Sequence, residues 1–195
     1  MHFRHVGAKF ATLAFLIGVS SGSVAQSSPN EWRNQVPHEA FSEEWQNPFP
    51  NAILPKGSAL EEANARTVLE FYDRAINRKD FAAALELIDA KFNQHKLNIP
   101  EGADGLKAVI SDLSAQMPDA VVEVKRVVPD GEYVFLHSHF RPNKNDLGSI
   151  AGDIFRLENG RIIDRWSILH RIPENPSPQN PNGVFGGKDD GSRRN

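Results

Sequence analysis

The chain has 195 residues, with 22 basic against 25 acidic side chains, a formal charge of −3 and no cysteine. Without cysteine there is no disulfide, no thiolate metal site and no cysteine for an N-terminal lipid anchor. The acids are scattered and no basic face stands out, which argues against nucleic acid as a partner and for a soluble surface.

The first 25 residues read as a secretory signal peptide. Arg4 and Lys9 precede the apolar run Phe10 to Val19, and small residues at Ser23 and Ala25 suit cleavage after Ala25. The run is about half of what a membrane-spanning helix needs, so the alternative of an uncleaved anchor is disfavoured. Cleavage would take the formal charge from −3 to −5, since Arg4 and Lys9 leave and no acid does. A periplasmic or secreted protein is expected, with no stable membrane insertion once the segment is gone. Residues 26 to 56 are rich in Pro and Asn and have no sustained period. Trp32, Phe41, Trp45, Phe49 and Ile53 are costly to leave in water, so an extended arm is expected, with a short helix near His38 to Trp45. It covers a pocket or partner subunit, or it lies along the domain surface as packing.

The globular domain is expected over residues 57 to 172. Ser58-Ala59-Leu60-Glu61 is a capping box, and Val68, Phe71, Tyr72, Ala75 and Ile76 form a helical stripe behind it. Asn77 to Lys79 break the helix, and Asp80 can cap a second one over Phe81 to Ile88. Lys91 to His95 reads as a turn or short helix entering a loop marked by Pro100, Gly102 and Gly105. A third helix is expected from Asp104 to Met117, ended by Pro118. The period then changes. Strands are expected over Ala120 to Val128, Glu132 to Phe140, Ser149 to Leu157 and Arg161 to Arg171, with hairpin turns at Asp130-Gly131 and Asn159-Gly160. Helices first and antiparallel strands last make an α+β domain. The Pro/Asn/Gly-rich tail, residues 173 to 195, is expected to be largely disordered, beyond about Phe185.

Alternation divides each strand into two faces. Tyr133, Phe135, His137 and His139 share one, and Val134, Leu136, Ser138 and Phe140 the other. Both are largely apolar, so one should take the helices and the other a second subunit or the arm. Ala151, Asp153, Phe155 and Leu157 share a face, as do Arg161, Ile163, Arg165, Ser167 and Leu169. Asp is disfavoured in mid-strand, so Asp153 is either paired, with Arg165 as the nearest candidate, or a working carboxylate in a pocket. His137 and His139 make an H-x-H that would bind zinc or iron only with a third ligand from Asp153 or His95. No second cluster at ligand spacing supports that, so neither metal nor cofactor is expected. His95 is a surface histidine or a general acid or base at a pocket rim.

Four stretches carry a resemblance: FYDRAINRKDFAAALELIDAKFNQH, GADGLKAVI, DGEYVFLHSHF and GDIFRLENGRIIDRW. From about Ala59 to Ile172 the chain resembles the SnoaL-like polyketide-cyclase family of the nuclear-transport-factor-two-like superfamily, and within it the subgroup described as predicted aldol-condensation enzymes. Gln94-His95, His137-Ser138-His139 and Asp153-Ile154-Phe155-Arg156 with Glu158-Asn159-Gly160 are its most specific parts. The resemblance implies a cone-shaped, cystatin-like fold. A curved antiparallel sheet would wrap a long N-terminal helix, with two further helices and a pocket at the open end. It also implies homodimers joined through the sheet, and a cofactor-free intramolecular aldol condensation. That chemistry needs a base for a proton next to a carbonyl and a donor for the enolate oxygen.

The family pattern has His-Trp-Asp near the end of the last strand, with the Asp as acid-base residue; here Arg165-Trp166-Ser167 stands there. Lys96-Leu97 replaces the usual Asn-Pro after Gln-His. Serine is no base at neutral pH and arginine keeps its proton. Three outcomes follow. The base has moved to His95, His139 or Asp153; or the pocket binds an apolar or carbonyl ligand without turnover; or the domain is a dimeric scaffold. A carboxylate paired with arginine is the weaker base, which favours the histidines. Tyr72, Phe135, His137, Phe155, Arg165 and Ser167 are the expected ligand contacts. Catalysis predicts a histidine converging on Asp153, and ligand binding alone predicts histidines tied to backbone partners.

Overall fold

The computed structural model describes residues 45–96, 99–174 and 183–186. The expected signal segment, most of the expected arm with its short helix near His38 to Trp45, and most of the tail lie outside the described residues.

The domain opens with helix α1 (Ala59–Tyr72), and its capping box forms as expected. The Ser58 amide donates to Glu61 Oε2 at 2.6 Å and the Glu61 amide to Ser58 Oγ at 3.3 Å, so two amides the helix cannot satisfy internally find partners. α1 runs on into one π-helical turn (Asp73–Asn77). It is buried on more than one side. Asn64 donates to Gly131 O at 2.9 Å and Thr67 to Gly160 O at 3.4 Å, so polar residues on the helix are tied to both hairpin turns. Helix α2 (Phe81–Leu85) is shorter than expected and is capped by Asp80. Helix α3 (Gly102–Gln116) matches its expected span closely.

Five strands follow the order β1-β5-β4-β3-β2 in one sheet, with β1 (Ile88–Gln94), β2 (Val121–Asp130), β3 (Tyr133–Arg141), β4 (Ser149–Glu158) and β5 (Arg161–Arg171). Four were expected. The fifth, β1, corrects the turn or short helix expected at Lys91 to His95, and it pairs parallel with β5 in an otherwise antiparallel sheet. The reason is spacing. Ile88 and Phe92 are its buried apolar residues, four apart, a spacing compatible with one face of a helix or one face of a strand. The free edge of β5 decides it, because it supplies partners for the backbone there, as when the His95 amide donates to Arg165 O at 3.0 Å.

Val134, Leu136, Phe155, Leu157 and Ile162 face α1 and form the core with Val68, Leu69, Phe71 and Tyr72. A register irregularity opposite Arg156 and Leu157 turns Ile162 inward, against the expectation that Ile163 shares the face of Arg165. The end of the arm packs on the domain. Trp45 donates to Glu70 at 2.9 Å, Phe49 is buried, and Ile53 exchanges backbone hydrogen bonds with Lys125 and Val127 at the edge of β2. Among the described residues no helix is long and apolar enough to cross a membrane.

Candidate functional site

Between the C-terminal end of α1, α3 and the inner face of the sheet lies a pocket of about 180 Å³. Its walls are apolar, with Phe71, Leu106, Ile110 and Leu113 among them, and its polar groups come from Tyr72, Ser138, Asp153, Arg165 and Ser167. Strand register gathers the last four. Leu136 pairs with Asp153, Asp153 with Ser167, Ser138 with Ala151, and Phe155 with Arg165, so all of these point to one side.

Asp153 is 1% exposed. Arg165 donates to its Oδ1 twice, from Nη2 at 2.9 Å and Nε at 3.2 Å. Oδ2 is buried and makes no hydrogen bond, and neither does the buried Ser138 hydroxyl oxygen. The guanidinium sits over the Phe155 ring at 5.7 Å and the Tyr72 ring at 6.0 Å, an arrangement that offsets part of its desolvation. Burial alone would make Arg165 easier to deprotonate; the adjacent carboxylate outweighs that and holds it firmly charged. The Tyr72 phenol is pushed well above its ordinary value, first by burial and then by the charge of Asp153. A hydrogen-bonding approach of the phenol to Asp153 adds to that shift, but no donor meets Oδ2 in regular hydrogen-bond geometry. The polar end therefore holds a neutral phenol, hydroxyls and an ion pair of no net charge.

The expected histidines are not part of it. His137 and His139 sit on the outer face of β3, with Phe135, on the opposite side of the sheet from Asp153. His139, 1% exposed, uses Nε2–H to donate to Leu147 O at 2.8 Å. His137 accepts from Arg126 through Nδ1 at 3.0 Å. Phe185, returning from the tail, covers both rings and forms a small second core with Leu147 and Ile172. Burial lowers the proton affinity of both histidines. Arg126 and Lys125 lower His137 further, while for His139 the bond to Leu147 only partly opposes the shift. Among the described residues no three His, Cys, Asp or Glu side chains are placed to hold a metal.

His95 follows β1 on a different surface. Its Nε2 lies 2.8 Å from Asp164 Oδ1, and its ring stacks on Trp166 at 4.4 Å. Asp164 also accepts from Arg156 at 2.6 and 2.8 Å. Although burial raises its proton affinity, the bonds from His95 and Arg156 bring it below the usual value. Phe155 stands behind the pocket wall rather than in it, edge-on to Tyr72 at 5.7 Å. Of the expected site residues, Tyr72, Asp153, Arg165 and Ser167 meet in the pocket; His95, His137, His139, Phe135 and Phe155 do not line it. Ser138 and Lys96 also line it, though neither was an expected contact. Strand alternation could have found Ser138, and the departure of Lys96-Leu97 from the family's Asn-Pro after Gln-His marks Lys96.

A solved structure of a candidate polyketide cyclase from Bacillus cereus ATCC 10987 is similar in fold, with a TM-score of 0.54 and 20% identity over 64% of this chain and 87% of that one. Bal32a, from a soil-derived mobile gene cassette, is similar with a TM-score of 0.50 and 19% identity over 56% of this chain and 90% of that one. No curated protein matches the sequence significantly. The SnoaL-like domain matches residues 68–165, from the middle of α1 to the arginine that holds Asp153. With that match over half its length, the chain belongs to the SnoaL-like domain family.

Proposed function

We propose that the pocket binds a small carbonyl compound and performs cofactor-free acid–base chemistry on it, of the aldol-cyclase or isomerase type. The observation that carries this reading is Asp153 Oδ2, a buried carboxylate oxygen with no hydrogen bond at the polar end of an apolar hollow. Leaving such an atom unsatisfied costs free energy. A ligand that brings the missing proton accounts for it.

In this reading Oδ2 takes a proton from the carbon next to the carbonyl. The electron pair of that C–H bond passes into the enolate, whose oxygen accepts a hydrogen bond from Tyr72. Burial keeps the phenol protonated and so able to donate. The enolate carbon then attacks a second carbonyl of the same molecule, or is reprotonated elsewhere, and Asp153 returns the proton. Asp153 lies directly across the strand pair from Ser167, where the family pattern has its carboxylate, so one carboxylate next to that place is retained.

A second reading, binding without turnover, draws support from His139, whose ring is tied to Leu147 O instead of converging on Asp153. One experiment separates the two. The protein is mixed with cyclic ketones and β-keto esters in deuterated water, and α-proton exchange is followed by NMR. Catalysis predicts exchange that falls on the order of a hundredfold in Asp153→Asn and partly returns in Asp153→Asn/Ser167→Asp. Binding without exchange favours the second reading, and no binding sinks both.

The proposal includes export through the N-terminal segment, which a mature N-terminus at Gln26 would support, and pairing of two copies through the outer sheet face. Tyr133, Phe135, Ile154 and Ile168 are exposed on that face.

A further inference from the structure

We propose that the ligand is no larger than a single ring with short substituents, and that it carries a carboxylate at its outer end, selected by Lys96. This rests on the small-molecule reading above. Volume sets the size. An apolar cavity of roughly 150 Å³ holds one benzene ring, and this pocket is about 180 Å³. A fused multi-ring skeleton exceeds that volume and would extend out through the mouth.

The distribution of charge sets the orientation. The deep lining, with Tyr72, Leu106 and Asp153, is buried, whereas Leu169 and Leu113 are exposed to solvent to different degrees and mark the mouth. At the deep end the donors of Arg165 are committed to Oδ1, so a ligand carboxylate there would meet the bare anionic Oδ2 and be repelled. A hydroxyl that donates to Oδ2 fits there, as does a ketone whose oxygen accepts from Tyr72 while its α-carbon faces Oδ2. Lys96 lines the same pocket from the segment after β1 and is half-buried. Among the described residues no ion pair or hydrogen bond holds its ammonium. A half-buried, unpartnered cation beside apolar walls attracts an anion on a ligand whose other end is engaged by Asp153.

The test is a set of NMR titrations of the full chain at low salt. The probes are methylcyclohexanone, oxocyclohexane carboxylate and the two-ring oxodecalin carboxylate, and the proteins are wild type, Lys96→Gln, Lys96→Arg and Leu113→Ala. The single-ring acid is expected to bind about three- to fivefold tighter than the neutral ketone, the most that a partly exposed charge pair usually contributes. That preference should vanish in Lys96→Gln, survive in Lys96→Arg and shrink with added salt. The two-ring acid should bind poorly until Leu113→Ala enlarges the wall. Equal binding of acid and neutral ketone, a preference that persists in Lys96→Gln, or a two-ring acid that binds wild type as well as the single ring would overturn the inference. Binding of the neutral ketone is the separate check on the underlying reading: if neither single-ring probe binds, that reading fails first.

Discussion

Asp153 and Arg165 form a buried ion pair beside a neutral phenol, and the physics of such pairs is asymmetric. Removing one partner strands a charge in a poorly solvated place, whereas removing both leaves a surface that apolar side chains can fill. Arg165→Met is therefore expected to lower stability by about 3 to 5 kcal/mol, and the double change Asp153→Leu/Arg165→Met by much less. Urea denaturation midpoints of the three proteins check this. Equal losses in the single and double variants would mean that the pair is not coupled. The same asymmetry gives the Ser167→Asp exchange in the functional test its second purpose, since it returns a carboxylate to a guanidinium that Asp153→Asn leaves alone.

Among the elements, β3 shows how one strand serves two environments. Its even-numbered residues build the core and the pocket, and its odd-numbered ones carry two neutral histidines under the tail segment with Phe185. His139 is packed by β3, by the segment after Leu147 and by Phe185, with Arg141, Lys125 and Glu123 as the nearby charges. Its folded proton affinity lies below the ordinary value of 6.5. The unfolded chain therefore takes up this proton first as pH falls. The contribution to stability is whole above about 6.5 and is lost progressively below it, until the folded value is passed. His137, also lowered, acts in the same sense. Denaturation midpoints are expected to drop as pH falls below about 6.5. His139→Gln, which keeps an amide donor for Leu147 O but cannot titrate, should flatten part of that drop. An unchanged pH profile in the variant would show that His139 is not responsible.

For the whole molecule, the outer sheet face carries the apolar surface available for association. Ile168 is 74% exposed and stands opposite Gly152, on the same face as the exposed pair Phe135 and Ile154 two residues along the strands. A contiguous apolar surface of this kind is uncommon on a monomer. The proposed dimer predicts that Ile168→Lys shifts sedimentation from two copies to one with little change in ligand affinity, because the pocket opens on the other side. A wild-type protein that sediments as a monomer at all concentrations would remove the proposal. The capping box, the helical stripe of α1, the Asn159-Gly160 turn and the alternation of β3 and β4 were legible from the residues alone, because each depends on neighbours a few positions away. So was the pairing of Asp153 with Arg165, which a hairpin brings together. The strand nature of β1 was not, since Ile88 and Phe92 suit a helix as well and only the edge of β5 selects between them. Nor was the separation of the histidines from Asp153. Alternation says that His137 and His139 share a face and that Asp153 and Phe155 share a face, but it is silent on which faces coincide. The register of β3 against β4 decides that, by setting Leu136 rather than His137 opposite Asp153. A shift of one residue would have moved every side chain to the other side of the sheet. Local chemistry thus determined every element but β1 and the family to which they belong, while long-range hydrogen-bond pairing decided β1 and which carboxylate, phenol and lysine share a cavity.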